Sequence, residues 1–267
     1  MAHILERIVA ATRATVETRK HQRPASVVAA EAAARTPRPD LFLAGVGRPD
    51  RINVIAECKR RSPTKGVLRE HYDVVGLARS YETSGAAAVS VLTESSFFDG
   101  SLEHLRAVRG AVAVPVLRKD FVVDGYQIDE ARAAGADAVL LIVAVLGRDL
   151  AAFLALSHRA GLAALVEVHD EEELRQAVDA GARIVGLNSR DLRTMSVNLE
   201  TCIELVARVP SDVVTVAESG IHTPGDIARL RAAGYSAFLV GEHLVRSSDP
   251  AQALRELTGI NAVAGSE

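Results

Sequence analysis

Ala134-Gly135-Ala136-Asp137-Ala138-Val139-Leu140-Leu141 holds a helix end, a turn and the start of a strand in one short stretch. The glycine supplies the left-handed geometry that closes a helix, which a β-carbon resists. The apolar run behind it reads as a strand. The same order recurs at Ser84-Gly-Ala-Ala-Ala-Val-Ser-Val, Ala180-Gly-Ala-Arg-Ile-Val-Gly-Leu and Ala233-Gly-Tyr-Ser-Ala-Phe-Leu-Val, and Ala160-Gly161 before ALVEV is a looser fifth copy. Self-similarity of this kind marks a chain built from repeated βα units.

Outward from these repeats, eight apolar segments fit strands: 52–59, 87–93, 114–120, 138–144, 163–169, 184–190, 213–219 and 237–242. Their starts lie roughly 21 to 35 residues apart, room for one crossover helix each time, so the sheet is expected to be parallel. Eight such units predict an α/β fold, a (β/α)8 TIM barrel. An open doubly wound sheet would need a glycine-rich turn after its first strand, and CKRRSPTKG stands there instead.

Ahead of the first strand, residues 3–20 put Ile4, Leu5, Ile8, Val9, Thr12 and Val16 on one helical face. An alanine-rich helix follows Pro24 and stops before Pro37 and Pro39, and Gly45 to Arg51 reads as a loop. The expected organisation is an N-terminal helical extension over residues 1–48 packed on a barrel of residues 49–260, with 261–267 as a flexible tail.

Composition narrows the function classes. The 267 residues are 48% apolar but only 4% aromatic, with no Trp, so the core must be built from Ala, Val, Leu and Ile. A net charge of −3 with both signs interspersed argues against a nucleic-acid binder. Cys58 and Cys202, the two thiols, have no partner at metal-ligand spacing, which points to a reducing cytoplasm and no metal site. Glu6 comes too early for a secretory signal, and the run from Ala138 to Gly147 falls short of the roughly 20 residues that cross a bilayer.

The chemistry is expected where the strands end. In Val114-Pro-Val-Leu-Arg-Lys-Asp-Phe121, alternation puts Leu117, Lys119 and Phe121 on one face and Arg118 and Asp120 on the other. An inward ammonium costs several kcal/mol unless carboxylates or an anionic ligand answer it. Other strand ends carry Glu57 and Lys59, Glu167, Asn188 and Arg190, and Glu218 and Ser219. Any one of these charges could be a structural ion pair; contributions from five strands to one barrel mouth point to a site. Close carboxylates raise one another's pKa, so such a ring offers acids and bases near neutral pH. Gly220 and Gly241 are placed for backbone contact with a phosphate, with Glu242 an awkward neighbour. Cys58 alternates toward the helix layer, and His104, His158, His169 and His222 read as surface or packing residues.

Several of these segments together resemble the indole-3-glycerol phosphate synthase family: Ile55-Ala-Glu-Cys-Lys, Ser62-Pro-Thr-Lys-Gly, Arg118-Lys-Asp-Phe, Tyr126-Gln-Ile, Leu165-Val-Glu-Val-His, Asn188-Ser-Arg-Asp-Leu, Glu218-Ser-Gly-Ile and Gly241-Glu-His-Leu. The resemblance runs from the N-terminal helix to about Leu257. It implies a carbon–carbon lyase of tryptophan biosynthesis that converts 1-(2-carboxyphenylamino)-1-deoxyribulose 5-phosphate to indole-3-glycerol phosphate, releasing CO2 and water, without metal or cofactor. It further implies that Lys119 is the principal general acid, Glu167 a partner acid or base, and Lys59, coupled to Glu57, a substrate ligand and second proton donor. Asn188 and Arg190 would hold hydroxyls and carboxylate, with Ser62 and Glu218 lining the site. Ser219, Gly220, Gly241 and Glu242 would take the phosphate, and Phe98 and Phe121 would wall the aromatic ring. The partner is then a small phosphorylated substrate, neither nucleic acid nor membrane, and transient contact with other tryptophan-pathway enzymes is compatible with it.

A lysine lowered in pKa by burial and neighbouring cations is the expected proton source. Three positions depart from the family's pattern: His243 for a usual serine, Gly125 for a proline, and Ser189, expected to face away, for an asparagine. The rival readings are phosphoribosylanthranilate isomerase with Cys58 as base, a Schiff-base aldolase on Lys119, and a barrel that binds a phosphometabolite without turnover. Loss of activity in Cys58→Ser would favour the first, borohydride trapping the second, and binding without indole fluorescence the third.

Overall fold

The computed structural model describes residues 4–191 and 195–260. Eight strands form a closed barrel: β1 (Asn53–Cys58), β2 (Ala88–Leu92), β3 (Val116–Lys119), β4 (Ala138–Ile142), β5 (Ala163–Val168), β6 (Ile184–Asn188), β7 (Val214–Glu218) and β8 (Ala237–Val240). All pair in parallel, each with the next in sequence, and Asn53 aligned with Ala237 begins the β1–β8 seam. Each strand lies inside its expected segment. The repeat glycines do what their spacing implies: Gly135 and Gly234 cap their helices at φ 91° and 115°.

Alternation splits the core into two layers. Outward residues such as Val54, Ala56, Val89, Val91, Val139 and Val166 pack with the surrounding helices. Inward residues Ile55, Leu117, Leu140, Leu165, Val216 and Leu239 fill the barrel. Around it run α4 (Val74–Thr83), α5 (Leu102–Ala111), α6 (Tyr126–Ala134), α7 (Val143–Leu146), α8 (Leu150–Arg159), α9 (Glu171–Asp179), α10 (Leu199–Val206), α11 (Pro224–Ala233), α12 (Glu242–Arg246) and α13 (Pro250–Thr258). Two expected strand ends are therefore helical. Val143 and Ala144 begin α7, and Glu242 begins α12. An apolar run does not distinguish a buried strand from the helix that continues it.

Before the barrel come α1 (Ile4–Gln22) and α2 (Ala25–Ala33), and then α3 (Pro39–Val46), a helix where the sequence suggested only prolines and a loop. Pro39 sits in its first turn, where a missing N–H costs nothing. The helix has a clear purpose. Ala88, Ala138, Ala163 and Ala237 leave the amino end of the barrel poorly filled, and Phe42 and Val46, both fully buried, complete that cluster. Val46→Ala is accordingly expected to cost about 1–2 kcal/mol in chemical denaturation, for lost apolar burial plus a small cavity. The expected tail, 261–267, lies outside the described residues. No helix among the described residues is long and apolar enough to cross a membrane.

Candidate active site

At the carboxyl ends of the strands lies a cavity of about 620 Å3, a size that suits a small ligand. Glu57, Lys59, Ser62, Phe98, Lys119, Phe121, Glu167, Asn188, Arg190, Glu218, Ser219, Gly220, Gly241 and Glu242 all line it. Every residue expected at the site is thus brought to one place. Among the described residues no group of three His, Cys, Asp or Glu side chains could hold a metal ion.

Lys119 stands at the centre. Its Nζ donates to Glu167 Oε2 at 2.9 Å and to Glu218 Oε2 at 3.1 Å, both carboxylates being almost wholly buried. Burial works against its charge, but Glu167, Glu218 and Glu57 outweigh it, and its pKa is raised. This corrects the expectation of a lysine lowered by neighbouring cations. The neighbours are carboxylates, so the ammonium holds its proton tightly until a substrate changes the field. Burial likewise opposes charge on Glu167, yet Lys119 and His169 hold it well below the usual carboxylate range. Glu218 goes the other way. Burial, reinforced by Glu167 and only partly offset by Lys119, pushes it up to about 8, and its Oε1 is buried without a hydrogen-bond partner. Two carboxylates beside one ammonium divide into a charged one and a protonated one, as repulsion at short range requires. Glycine at 186 makes room for this. A β-carbon there would lie 2.0 Å from Glu218 Oε1.

A second ammonium, Lys59, pairs with Glu57 at 2.6 Å. Gly241, expected to matter for close approach of a phosphate, has a further role. A β-carbon at 241 would sit 2.2 Å from Glu57 Oε1 and 3.0 Å from its carboxyl carbon. Gly241→Ala should therefore displace Glu57 and loosen Lys59, lowering kcat/KM about tenfold or more while the melting temperature moves little. Ser62 opens a small antiparallel hairpin, Arg61–Ser62 with Gly66–Val67, and its Oγ accepts the Lys65 N–H at 3.1 Å.

The walls differ by side. Phe98 and Phe121 have ring centroids 6.0 Å apart. The loop bearing Phe98 is set by Glu94, whose carboxylate accepts the backbone N–H groups of Ser96, Phe97 and Phe98. Ile4, Leu5 and Ile8 of α1 add an apolar edge, and the Arg7 guanidinium lies 5.7 Å from the Phe97 ring centre. Opposite, Asn188 Oδ1 accepts the Arg190 N–H at 3.0 Å. Ser219 and Gly220 both adopt positive φ, 68° and 72°. Ser189 does face away from the cavity's lining, donating to the carbonyls of Glu218 and Ser219. Glu242 lies 3.5 Å from Arg246, which draws its charge aside.

Some residues escaped the sequence reading. His169, read as surface or packing, lies between Glu167 and Glu173. His222 lines the cavity, its ring edge-on to His243 at 6.0 Å. Glu94 carried no motif. Lone histidines and acids give little signal, although His169 shares strand parity with Glu167, and that could have found it. Cys58 is fully buried among the helix-facing residues, and burial raises its thiol pKa. It has neither the exposure nor the acidity of a base for the isomerase reading.

Comparison with known proteins shows the family. A family model described as indole-3-glycerol phosphate synthase matches residues 5–257. An indole-3-glycerol phosphate synthase of Roseiflexus sp. is 48% identical over 97% of this chain and 99% of its own. One from Beutenbergia cavernae is 49% identical over 97% and 96%, and one from Nocardioides sp. 52% identical over 85% and 86%. Among solved structures, a thiamine phosphate pyrophosphorylase from Pyrococcus furiosus superposes with a TM-score of 0.59 at 20% identity, covering 77% of this chain and 93% of its own. An N-acetylmannosamine-6-phosphate 2-epimerase from Clostridium perfringens does so at 0.60 and 17%, covering 80% and 93%. At such identities these two speak for the barrel alone.

Proposed function

The chain belongs to the indole-3-glycerol phosphate synthase family, and from that premise we propose how its own residues carry the reaction. The activity is a lyase reaction of tryptophan biosynthesis. The ring carbon bearing the carboxylate of 1-(2-carboxyphenylamino)-1-deoxyribulose 5-phosphate attacks the sugar's ketone carbon; CO2 then leaves, and then water, giving indole-3-glycerol phosphate.

Ring closure needs a proton at the ketone oxygen as the new bond forms, and Lys119 gives it. Glu218, protonated at neutral pH and 3.1 Å from Nζ, returns a proton to the lysine. CO2 then leaves as a neutral molecule, and the electron pair of the broken carbon–carbon bond stays in the ring, where it cancels the positive charge that ring closure put on the nitrogen and restores aromaticity. In the dehydration, Lys59 protonates the departing hydroxide, and Glu167, held as a carboxylate, takes the proton from the adjacent ring carbon. Two protons given and one taken balance the carboxylate consumed. Phe98 and Phe121 wall the aromatic ring, Ser62 lines the site, and Asn188 and Arg190 hold hydroxyls and carboxylate. Backbone amides of Ser219, Gly220, Gly241 and Glu242 take the phosphate. Binding groups at both ends hold the reacting carbons together, which lowers the barrier by prepaid orientation.

The observation that carries this reading is one ammonium bridging two buried carboxyl groups inside a cavity that gathers every expected binding group. In the same reading, residues 1–48 are an extension that completes the barrel and its mouth, and 49–260 the catalytic barrel. The protein works in the cytoplasm and meets other enzymes of the pathway only transiently. Purified protein mixed with the carboxyphenylamino sugar phosphate should develop the fluorescence of an indole product. Tight binding without fluorescence would support a barrel that only binds.

A further inference from the structure

We propose that His169 is a positioning residue for Glu167: an imidazolium clamped between Glu173 and Glu167, it keeps Glu167 oriented and charged while Lys119 gives up its proton. The proposal rests on the reaction assigned above and adds a residue to it.

The geometry favours a doubly protonated ring. His169 Nδ1 lies 3.0 Å from Glu173 Oε2, and Nε2 lies 3.4 Å from Glu167 Oε1. Nε2 is buried and makes no hydrogen bond; the acid it faces is Glu167, at that 3.4 Å. Both nitrogens face carboxylate oxygens, and a lone pair on either would face negative charge. A proton on each nitrogen, the imidazolium, turns both repulsions into attractions. The electrostatics agree. Burial lowers the proton affinity of the ring, but Glu167 and Glu173 together push its pKa up to about 10.

Glu167 thus has a cation on each oxygen, Lys119 on Oε2 and His169 on Oε1. The charged and titratable groups facing this pair come from several elements: Lys119 at the end of β3, Glu218 on β7 and Glu173 on α9, with Glu57 on β1 acting on Lys119. When Lys119 passes its proton to the ketone, Glu167 loses one of its two cations. Without His169 the carboxylate would then compete with the substrate for that proton. With it, Glu167 stays ionised and ready as the base of the dehydration.

Turn closure does not explain the ring. The His169 backbone N–H already donates to Glu173 Oε2 at 2.8 Å, and Asp170 caps α9 through the Glu173 N–H at 2.9 Å. The link from imidazolium to Glu167 is additional to both.

Two measurements test the proposal. In wild-type protein with labelled histidine, NMR should show the His169 ring protonated up to about pH 9, well above the usual 6.5 or so. In pH profiles, His169→Asn should lower kcat about tenfold with KM within about twofold, and should move the acid limb of kcat/KM upward by about one unit. Glu173→Gln keeps the ring but weakens its hold on the proton, so that variant should begin to lose activity at lower pH than wild type, whose own basic limb follows Glu218 at about 8. If His169→Asn does not fold, Glu173→Gln and the NMR titration decide. A ring that loses its proton near pH 6.5, or profiles of unchanged shape in the folded variants, would overturn the clamp even in a fully active enzyme. Wild-type protein that makes no indole brings down the assigned reaction instead.

Discussion

Lys119→Ala is expected to bind the carboxyphenylamino sugar phosphate and to turn essentially none of it over. The loss in kcat should be at least about 10²–10⁴-fold, the range that a positioned general acid contributes. Binding survives because the groups assigned to the grip, Arg190, Lys59 and the loops after β7 and β8, stand apart from the alanine. The fold should survive too. Glu218 already favours its protonated form, so one ionised carboxylate remains, and His169 still faces it. Lys119→Arg separates charge from proton transfer. A guanidinium can keep the pairing with Glu167 but does not yield a proton in this pH range, so it too should be inactive. Calorimetric binding combined with single-turnover rates would decide. A variant within tenfold of the wild-type rate would remove Lys119 from the acid's role.

Arg118→Leu should show the largest loss of stability, about 3–5 kcal/mol in denaturant titration. Its guanidinium is fully buried one residue before Lys119 and faces the other way. It donates to Thr93 Oγ1 at 3.0 Å, the Gln127 carbonyl at 2.6 Å, Asp120 Oδ2 at 2.8 Å and Glu130 Oε2 at 3.3 Å. Leucine would leave Asp120 and Glu130, each 2% exposed, without that cation in the interior. Glu130 keeps one partner, Arg19 on α1 at 3.2 Å, so the same cluster ties the N-terminal helix to the strand that carries Lys119. A loss below about 1 kcal/mol would show that the network does not hold the strand.

The barrel could be read because two periodicities coincided: glycine-closed helices recurring along the chain, and strands whose inward residues end in charge. Alternation alone placed Lys119 inside, Arg118 outside and Cys58 among the helices. What could not be read depended on partners remote in sequence. Pro39 looks like a stop until the alanines at four strand starts show what Phe42 must fill. The proton affinity of Lys119 depends on whether cations or carboxylates face it, and Glu167 and Glu218 arrive from strands far along the chain. Gly186 and Gly241 look like ordinary strand glycines until a carboxylate is found lying over each. His169 lacked only a reason to look. The parity that set Glu57 beside Lys59 sets it beside Glu167.

In this cavity an indole ring forms at the cost of the substrate's carboxyl group. A single turnover with excess protein, on substrate carrying carbon-13 in the aromatic carboxyl group, tests it most directly. One equivalent of labelled CO2 is expected for each indole-3-glycerol phosphate formed. Label retained in the product, or CO2 without an indole, would contradict it.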